Sequence, residues 1–309
     1  MNHKIMDKRF LYPRNLEELV NMLPQGSVEL VYPREKLVGQ DRYTKIYHTT
    51  SLNSFLMIWA KKRLKFAPIT GVNDMLEQAI EIGHESPQLL PMLFALQDIR
   101  KNYKQISFTM DFDSSVRGYA SPLIWGIYGD RNRGVCIELE YKKLNLPDSC
   151  FGGVVKYKKI LNKKVEMPKE VNTINSLKAF IKSKKDRLFF TKGKCWEHEN
   201  EYRLISDSDE YLDISKAITA VYVTDIDDLS FEIVDELLKD TNIHFGCIRV
   251  DKKYGVLYET DAREYKELLM KARNNTENAM AKILKQAKEH YDSLKINPDA
   301  NLSKVEYDN

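Results

Sequence analysis

The 309 residues are 43% hydrophobic, 10% aromatic and 30% charged, with a net charge of +3, which is enough apolar material for a real core in one large domain or two small ones. No run of 18 apolar residues occurs, so a membrane-spanning helix is excluded. Four dispersed cysteines, Cys136, Cys150, Cys195 and Cys247, have no CxxC spacing, so no zinc site or disulfide framework is expected. Thiols of that kind fit a reducing cytoplasm, and Met1 to Arg9 contain no apolar signal core. The net charge conceals an asymmetry: residues 141–195 hold fifteen Lys/Arg against four Asp/Glu, a balance of +11 that leaves −8 for the rest. So basic a block attracts polyanions at long range, or is simply a solvated surface.

Residues 1–43 read as an N-terminal arm, with a short helix from Asn15 and an edge strand between Val28 and Val38. Lys45 to Thr50 is the first strong strand signal, and Ser51 caps a helix that puts Leu52, Phe55, Leu56 and Trp59 on one face. A strand, Leu64 to Ala67, ends at Pro68. Residues 75–104 then read as two helices broken near Ser86-Pro87. Gln105 to Met110 is a strand, 111–121 a polar loop, and Pro122 starts a short helix through Tyr128. Val135 to Tyr141 and Val154 to Tyr157 are strands. Residues 173–191 form one basic helix with Leu177, Phe180, Ile181, Leu188 and Phe189 facing inward. Further on come a strand at 218–224, a helix at 230–239, strands at 244–250 and 255–259, a long helix from Asp261 to Leu294 with a weak point at Asn274-Asn275, and a disordered tail from Asn297.

The stretch from Cys195 to Leu204 reads as the start of a strand in which Glu199, Glu201 and Arg203 share one face. Carboxylates two residues apart stand about 7 Å from one another along a strand, close enough to raise each other's pKa or to grip one polar ligand. An amphipathic edge strand is the plain alternative. Tyr47-His48-Thr49-Thr50 puts an imidazole and two hydroxyls at a strand-to-helix junction, suited to a polar ligand or to a satisfied core histidine. Trp125 and Tyr128, three apart on a helix, suit either core packing or stacking. No GxGxxG follows a strand, and no GxxxxGK[ST], HExxH or GxSxG is present.

Several motifs then occur in a fixed order. They are Tyr47-His48-Thr49-Thr50, Phe66-Ala67-Pro68 with Asn73-Asp74-Met75-Leu76-Glu77, and Ser107-Phe108-Thr109. After these come Leu123 to Tyr128 with Gly134 to Ile137, then Val155-Lys156-Tyr157, and Lys192 with Trp196 to Arg203. Together they resemble, over roughly residues 44–258, a widespread prokaryotic family known as a domain of unknown function, whose motifs run YxYT, fNDPfE, cFS, MWxxYaxxhxGvci, vxY and KxxxWxxExEyR. Met75 stands where that family has Pro, Gly126-Ile127 where a more polar pair is common, and Thr109 at the serine of the third motif.

The layout also resembles ADP-ribosyltransferases: a Tyr-His-x-Thr strand entering a helix, a middle strand bearing Ser107, and a late Glu-x-Glu strand. That resemblance implies an α+β fold with a split β-sheet core, surrounding helices and a C-terminal helical extension. The expected domains are 1–43, 44–258 and 259–309. It implies NAD as substrate and no metal. Glu201 is then the catalytic glutamate, Glu199 orients or deprotonates the acceptor, and His48 bonds the nicotinamide ribose. Thr49, Thr50, Ser107, Trp125, Tyr128 and Arg203 complete the NAD-binding set, with Tyr128 as the stacking aromatic and Arg203 pairing with a glutamate or meeting a phosphate. A fixed carboxylate beside the charge that develops on ribose contributes about 3 kcal/mol or more.

Lysines interleaved with Phe189, Phe190 and Trp196 suggest an RNA acceptor. The family points to a cytoplasmic toxin of an anti-phage system, with an antitoxin or chaperone docking on the C-terminal helix unless that helix packs on its own domain. An NAD glycohydrolase, or a nucleic-acid-binding protein without catalysis, is the competing expectation.

Overall fold

The computed structural model describes residues 45–71, 73–74, 77, 82–83, 90–112, 117–159, 165–166, 171, 173–225, 228–251 and 256–296. The expected arm at 1–43, the Ser86-Pro87 break and the tail from 297 lie outside these residues. The chain divides into two compact units, Met1–Thr260 and Asp261–Asn309.

The first unit is a mixed α+β fold. Strand β1 (Lys45–Thr50) leads to helix α1 (Leu52–Lys61), then β2 (Arg63–Lys65) and β3 (Ala67–Pro68). The Ser51 hydroxyl caps α1 by accepting from the Ser54 amide at 3.2 Å. Next come β4 (Ile82–Gly83), α2 (Leu90–Lys101), β5 (Lys104–Met110), α3 (Pro122–Ile127) and β6 (Val135–Glu140). They are followed by β7 (Phe151–Val154), β8 (Lys156–Lys158), β9 (Val165–Glu166), α4 (Ile174–Ser183), α5 (Lys185–Phe189) and β10 (Thr191–Gly193). The unit ends with β11 (Glu201–Ser206), β12 (Tyr211–Asp213), β13 (Ile218–Thr224), α6 (Asp228–Leu238), β14 (His244–Asp251) and β15 (Val256–Asp261).

Among the described residues, eight strands run in one sheet in the order β15-β14-β13-β6-β1-β5-β11-β7, with β3 pairing on β5 as a ninth. The β13–β14 pair is parallel, joined across helix α6, whereas β6, β1, β5, β11 and β7 pair antiparallel. The centre of the sheet is uneven. β1 matches β6 over all six of its residues but meets β5 at only two positions, Ile46 with Met110 and Tyr47 with Thr109. Beyond Tyr47 the two strands lack further register. The apolar interior is divided in a similar way. One cluster joins Leu93, Leu96, Leu177, Ile181, Phe189 and Ile205. Another joins Tyr47, Tyr119, Trp125, Cys136, Tyr222 and Ile248.

Several elements differ from the sequence expectation. The basic helix at 173–191 is two helices, because the chain turns at Lys184, although all five residues expected inside are buried. The strand at 154–157 is interrupted at Val155, whose amide bonds the Glu201 carbonyl at 2.9 Å. Phe66 likewise separates β2 from β3 by donating to Glu210 O. Ile82–Gly83 is a strand paired with β9, inside a stretch expected to be helical. The second unit contains helix α7 (Ala262–Ile296), which runs through Asn274-Asn275 without a break and exposes Leu268, Leu269, Met280, Ile283 and Leu284.

The turn after α3 is backbone-strained: Asp130, Arg131 and Asn132 all have positive φ, at 47°, 56° and 67°. Consecutive left-handed L-residues cost roughly 1–2 kcal/mol each and persist only where surroundings hold them. Here Gly134 N donates to Gly129 O at 2.7 Å, and the Thr224 and Ser230 hydroxyls bond the carbonyls of Asn132 and Arg133. A Cβ on Gly134 would stand 2.1 Å from the Thr50 carbonyl, backbone that has little room to yield. Gly134→Ala is therefore expected to lower the unfolding free energy by about 1–3 kcal/mol. Urea unfolding checks this, and an unchanged midpoint would contradict the packing of this turn against β1.

Candidate active site

A cleft of about 620 Å³ opens where β1 and β5 lose register, lined by Tyr47 to Ser51 on one side and Gln105 to Thr109 on the other. His48, Thr49, Thr50, Ser107, Tyr128, Glu199, Glu201 and Arg203 all line it. Trp125 does not. It is 1% exposed, and its indole N–H donates to Tyr119 O at 2.7 Å, which places it in the core. The aromatic pair is thus divided: Trp125 packs inside and Tyr128, one helical turn on, faces the cleft.

His48 bridges the opening. Its Nδ1 lies 3.2 Å from the Ser107 carbonyl, an acceptor only, so Nδ1 carries the proton. Burial lowers the imidazole pKa, opposed by that bond, and the neutral ring then keeps a lone pair on Nε2. A hydroxyl entering the cleft would meet an acceptor there.

The two glutamates converge by a route other than strand alternation. Lys194–Glu199 is a 3-10 turn, and β11 begins only at Glu201. Between them Asn200 is left-handed, with φ 43°, a conformation Asn tolerates better than most side chains. Its amide donates to the carbonyls of Met110 and Asp111, both at 3.0 Å, which fixes the reversal against β5. The Glu201 amide donates to the Tyr157 hydroxyl at 2.9 Å.

The environments of the two carboxylates differ. Glu201, 4% exposed, is held in a fork by Arg203, with Nε at 2.5 Å from Oε1 and Nη2 at 2.7 Å from Oε2. Burial raises its pKa, but Arg203, Lys192 and the Ser107 hydroxyl outweigh burial and hold it below the ordinary glutamate value. Glu199, 3% exposed, accepts from the Tyr128 hydroxyl at 2.6 Å and from Lys192 Nζ at 2.5 Å. Burial first and the Glu201 charge second push its pKa up, and Lys192 and Tyr128 offset only part of that. The pair therefore has one member kept ionised and one that holds its proton more readily.

Arg203 was expected at a glutamate or at a phosphate. It is committed to the protein: besides Glu201 it bonds Glu77 and, at 2.9 Å, the Phe189 carbonyl, and it is 2% exposed. Glu77 and Lys192 stand in the recognisable motifs without a role readable from the sequence. Glu77 pairs with Arg203, and Lys192 pairs with Glu199 and Glu201. Asn73 extends this network through a 3.4 Å bond to the Tyr128 hydroxyl.

The expectation of an aromatic stacking surface for nucleic acid is overturned by burial. Phe189 and Phe190 are 3% and 2% exposed and lie in the core, and Lys192 is buried among the carboxylates. Trp196 is half-buried, with the Lys192 ammonium 4.5 Å from its ring. Lys156, Lys158, Lys178, Lys182, Lys185 and Lys194 remain exposed, so the surface charge survives without the stacking platform.

Two outcomes follow for stability. Arg203→Met leaves Glu77 and Glu201 without their guanidinium, and breaking a buried pair costs about 3–5 kcal/mol; urea unfolding at neutral pH would read this directly. The raised pKa of Glu199 means that its contribution to stability is present below its ordinary value and lost as pH rises through the folded one. Glu199→Gln should therefore gain stability relative to the natural protein as pH rises above the ordinary glutamate value. A difference independent of pH would contradict the assignment.

A family model described as a protein of unknown function, DUF2971, matches residues 124–204, a span that includes Tyr128, Lys192, Glu199, Glu201 and Arg203. No curated protein matches the chain.

Proposed function

We propose that the protein is an NAD-dependent ADP-ribosyltransferase acting on a nucleic acid, RNA in the first instance. The observation that carries the reading is the cleft between β1 and β5, which brings His48 and two unequal buried carboxylates to one place. Its volume of about 620 Å³ lies within the usual range for small-molecule sites, about 300–1,000 Å³.

In this reading the ionised Glu201 supplies fixed negative charge beside the ribose as its glycosidic bond breaks and nicotinamide departs with the bonding electrons. Arg203, the Ser107 hydroxyl and Lys192 surround the Glu201 carboxylate on the protein side, and the ribose would meet it from the cleft that Glu201 lines. Glu199, in its ionised form, takes the proton of the incoming acceptor hydroxyl, a role suited to a carboxyl whose pKa is lifted toward neutrality. His48 accepts from a ribose hydroxyl through Nε2, and Tyr128 offers its ring to the nicotinamide. Exposed lysines of the 156–194 segment supply the attraction for a polyanionic acceptor. The role as a toxin in phage defence rests on the family resemblance alone.

One observation favours a second reading. Burial of Phe189 and Phe190 removes the stacking surface that an RNA acceptor was expected to use, and water as acceptor would make the protein an NAD glycohydrolase.

Labelled NAD offered with total RNA, DNA and cell protein tests both. Label on RNA is expected, and free ADP-ribose alone would select the glycohydrolase. Glu201→Gln should lower turnover by about 10²–10³-fold with an unchanged circular dichroism spectrum. Intact NAD in every tube would overturn the proposal.

A further inference from the structure

We propose that Lys192 is a positioning residue that binds Glu199 and Glu201 into one acid–base unit and keeps Glu199 able to give up its proton. The mechanistic consequence rests on the ADP-ribosyl reading; the assignment of Lys192 to the pair does not.

The geometry is specific. Lys192 Nζ is 2.5 Å from Glu199 Oε2 and 3.6 Å from Glu201 Oε2. Among the described residues it is the cation that touches both carboxylates, since Arg203 reaches Glu201 and Glu77 but not Glu199. It is 4% exposed, so bulk water does not screen it. Its ammonium stands over Trp196, four residues on, which limits where the long side chain can go.

The backbone beneath it is equally fixed. Lys192 lies on β10, in register with Tyr157 of the parallel strand β8. Tyr157 accepts from the Glu201 amide while Lys192 donates to the Glu199 carboxylate, so one two-stranded ribbon holds both ends of the Glu199–Glu201 reversal.

Among the described residues, four titratable groups face Glu199: Tyr128 at the end of α3, Lys192 on β10, Glu201 on β11 and Tyr157 on β8. Lys192 is the one positive charge of the four. The Tyr128 hydroxyl donates but is neutral, and burial together with Glu199 lifts its own pKa out of the accessible range. With Lys192 removed, Glu199 would sit buried beside Glu201 with no cation of its own, and its proton would be retained to higher pH.

The test measures the carboxyl directly. Protein labelled with ¹³C at the glutamate side-chain carboxyl is titrated by NMR in natural form, as Lys192→Met and as Lys192→Arg, with Glu199→Gln to assign the signal. In Lys192→Met the Glu199 midpoint should rise by about 1–3 pH units, and in Lys192→Arg by less than about one unit. In NAD turnover the acid limb of the pH–kcat profile should move alkaline by the same amount. Activity at a fixed pH on that limb should fall about tenfold per unit, with KM for NAD changed less than kcat. Lys192→Arg should return the limb toward its natural position.

An unmoved Glu199 midpoint in folded Lys192→Met would overturn the proposal. So would a uniform loss of kcat at every pH. If Lys192→Met does not fold, Lys192→Gln is titrated in its place: a Glu199 midpoint raised by about 1–3 pH units supports the assignment and an unmoved one overturns it. A displaced midpoint in a protein that leaves NAD intact would sink the transferase reading and still support the place of Lys192 in the pair.

Discussion

The fork between Arg203 and Glu201 is the interaction on which the rest of the site depends. It lies in the interior, where each uncompensated charge costs several kcal/mol, so it is tolerable only with every partner in place. Arg203 meets this demand by gathering Glu201 from its own strand, Glu77 from a segment 126 residues away and the carbonyl of Phe189 at the end of α5. Arg100, also buried, bonds the carbonyls of Glu77 and Leu188 and ties α2 to the same knot. Four distant pieces of chain are thus tied by charge in addition to the apolar cluster that Leu93, Leu96, Phe189 and Ile205 share. The geometric precision of the carboxylate pair comes from that, since a guanidinium fork sets both direction and distance.

The second constraint is the parting of β1 from β5. A sheet that separates at its centre must satisfy the polar groups it leaves without ladder partners. His48 does this for Ser107 by donating from Nδ1 to its carbonyl, so a histidine well placed for ligand chemistry also has a structural task. The same bond fixes its tautomer. At the C-terminal end of β5, Asn200 closes the carbonyls of Met110 and Asp111 with its side-chain amide. At His48 the cleft is therefore edged by a side-chain-to-backbone bond in place of sheet ladder.

Much of this was legible in the sequence, in an uneven way. The junction at His48 was readable because a β-branched, aromatic run passes directly into Ser51, a cap residue followed by helical spacing. Glu199 and Glu201 were readable as a pair, but the reason differed. Alternation along a strand was expected, whereas a 3-10 turn and a left-handed Asn200 bring them together. Period-two reasoning assumes extended backbone at every residue, and one positive φ defeats it. The parts that the sequence did not disclose are long-range ion pairs. Glu77 and Lys192 were visible inside motifs, yet no local rule links a glutamate to an arginine 126 positions later. Phe189 shows the converse. Helical periodicity placed it inside, while its lysine neighbours suggested a stacking surface; burial resolves the conflict in favour of periodicity.

The distribution of charge gives the last step. The segment from 156 to 194 is strongly basic, but its lysines do two different things. On the β8–β10 ribbon Lys156 and Lys158 are exposed, as is Lys194 just beyond it, whereas Lys192 is buried against the carboxylates and Tyr157 takes the Glu201 amide. A single short ribbon thus carries both a counter-ion of the acid pair and part of the basic surface. Composition alone cannot separate these lysines, because an exposed cation and a buried counter-ion count equally in the +11 of residues 141–195. Their energies are unlike: the exposed ones act at a distance through water and weaken with salt, and the buried one acts at contact and does not. The basic surface and the counter-ion of the carboxylates are therefore separable features of one stretch of sequence, carried by different residues.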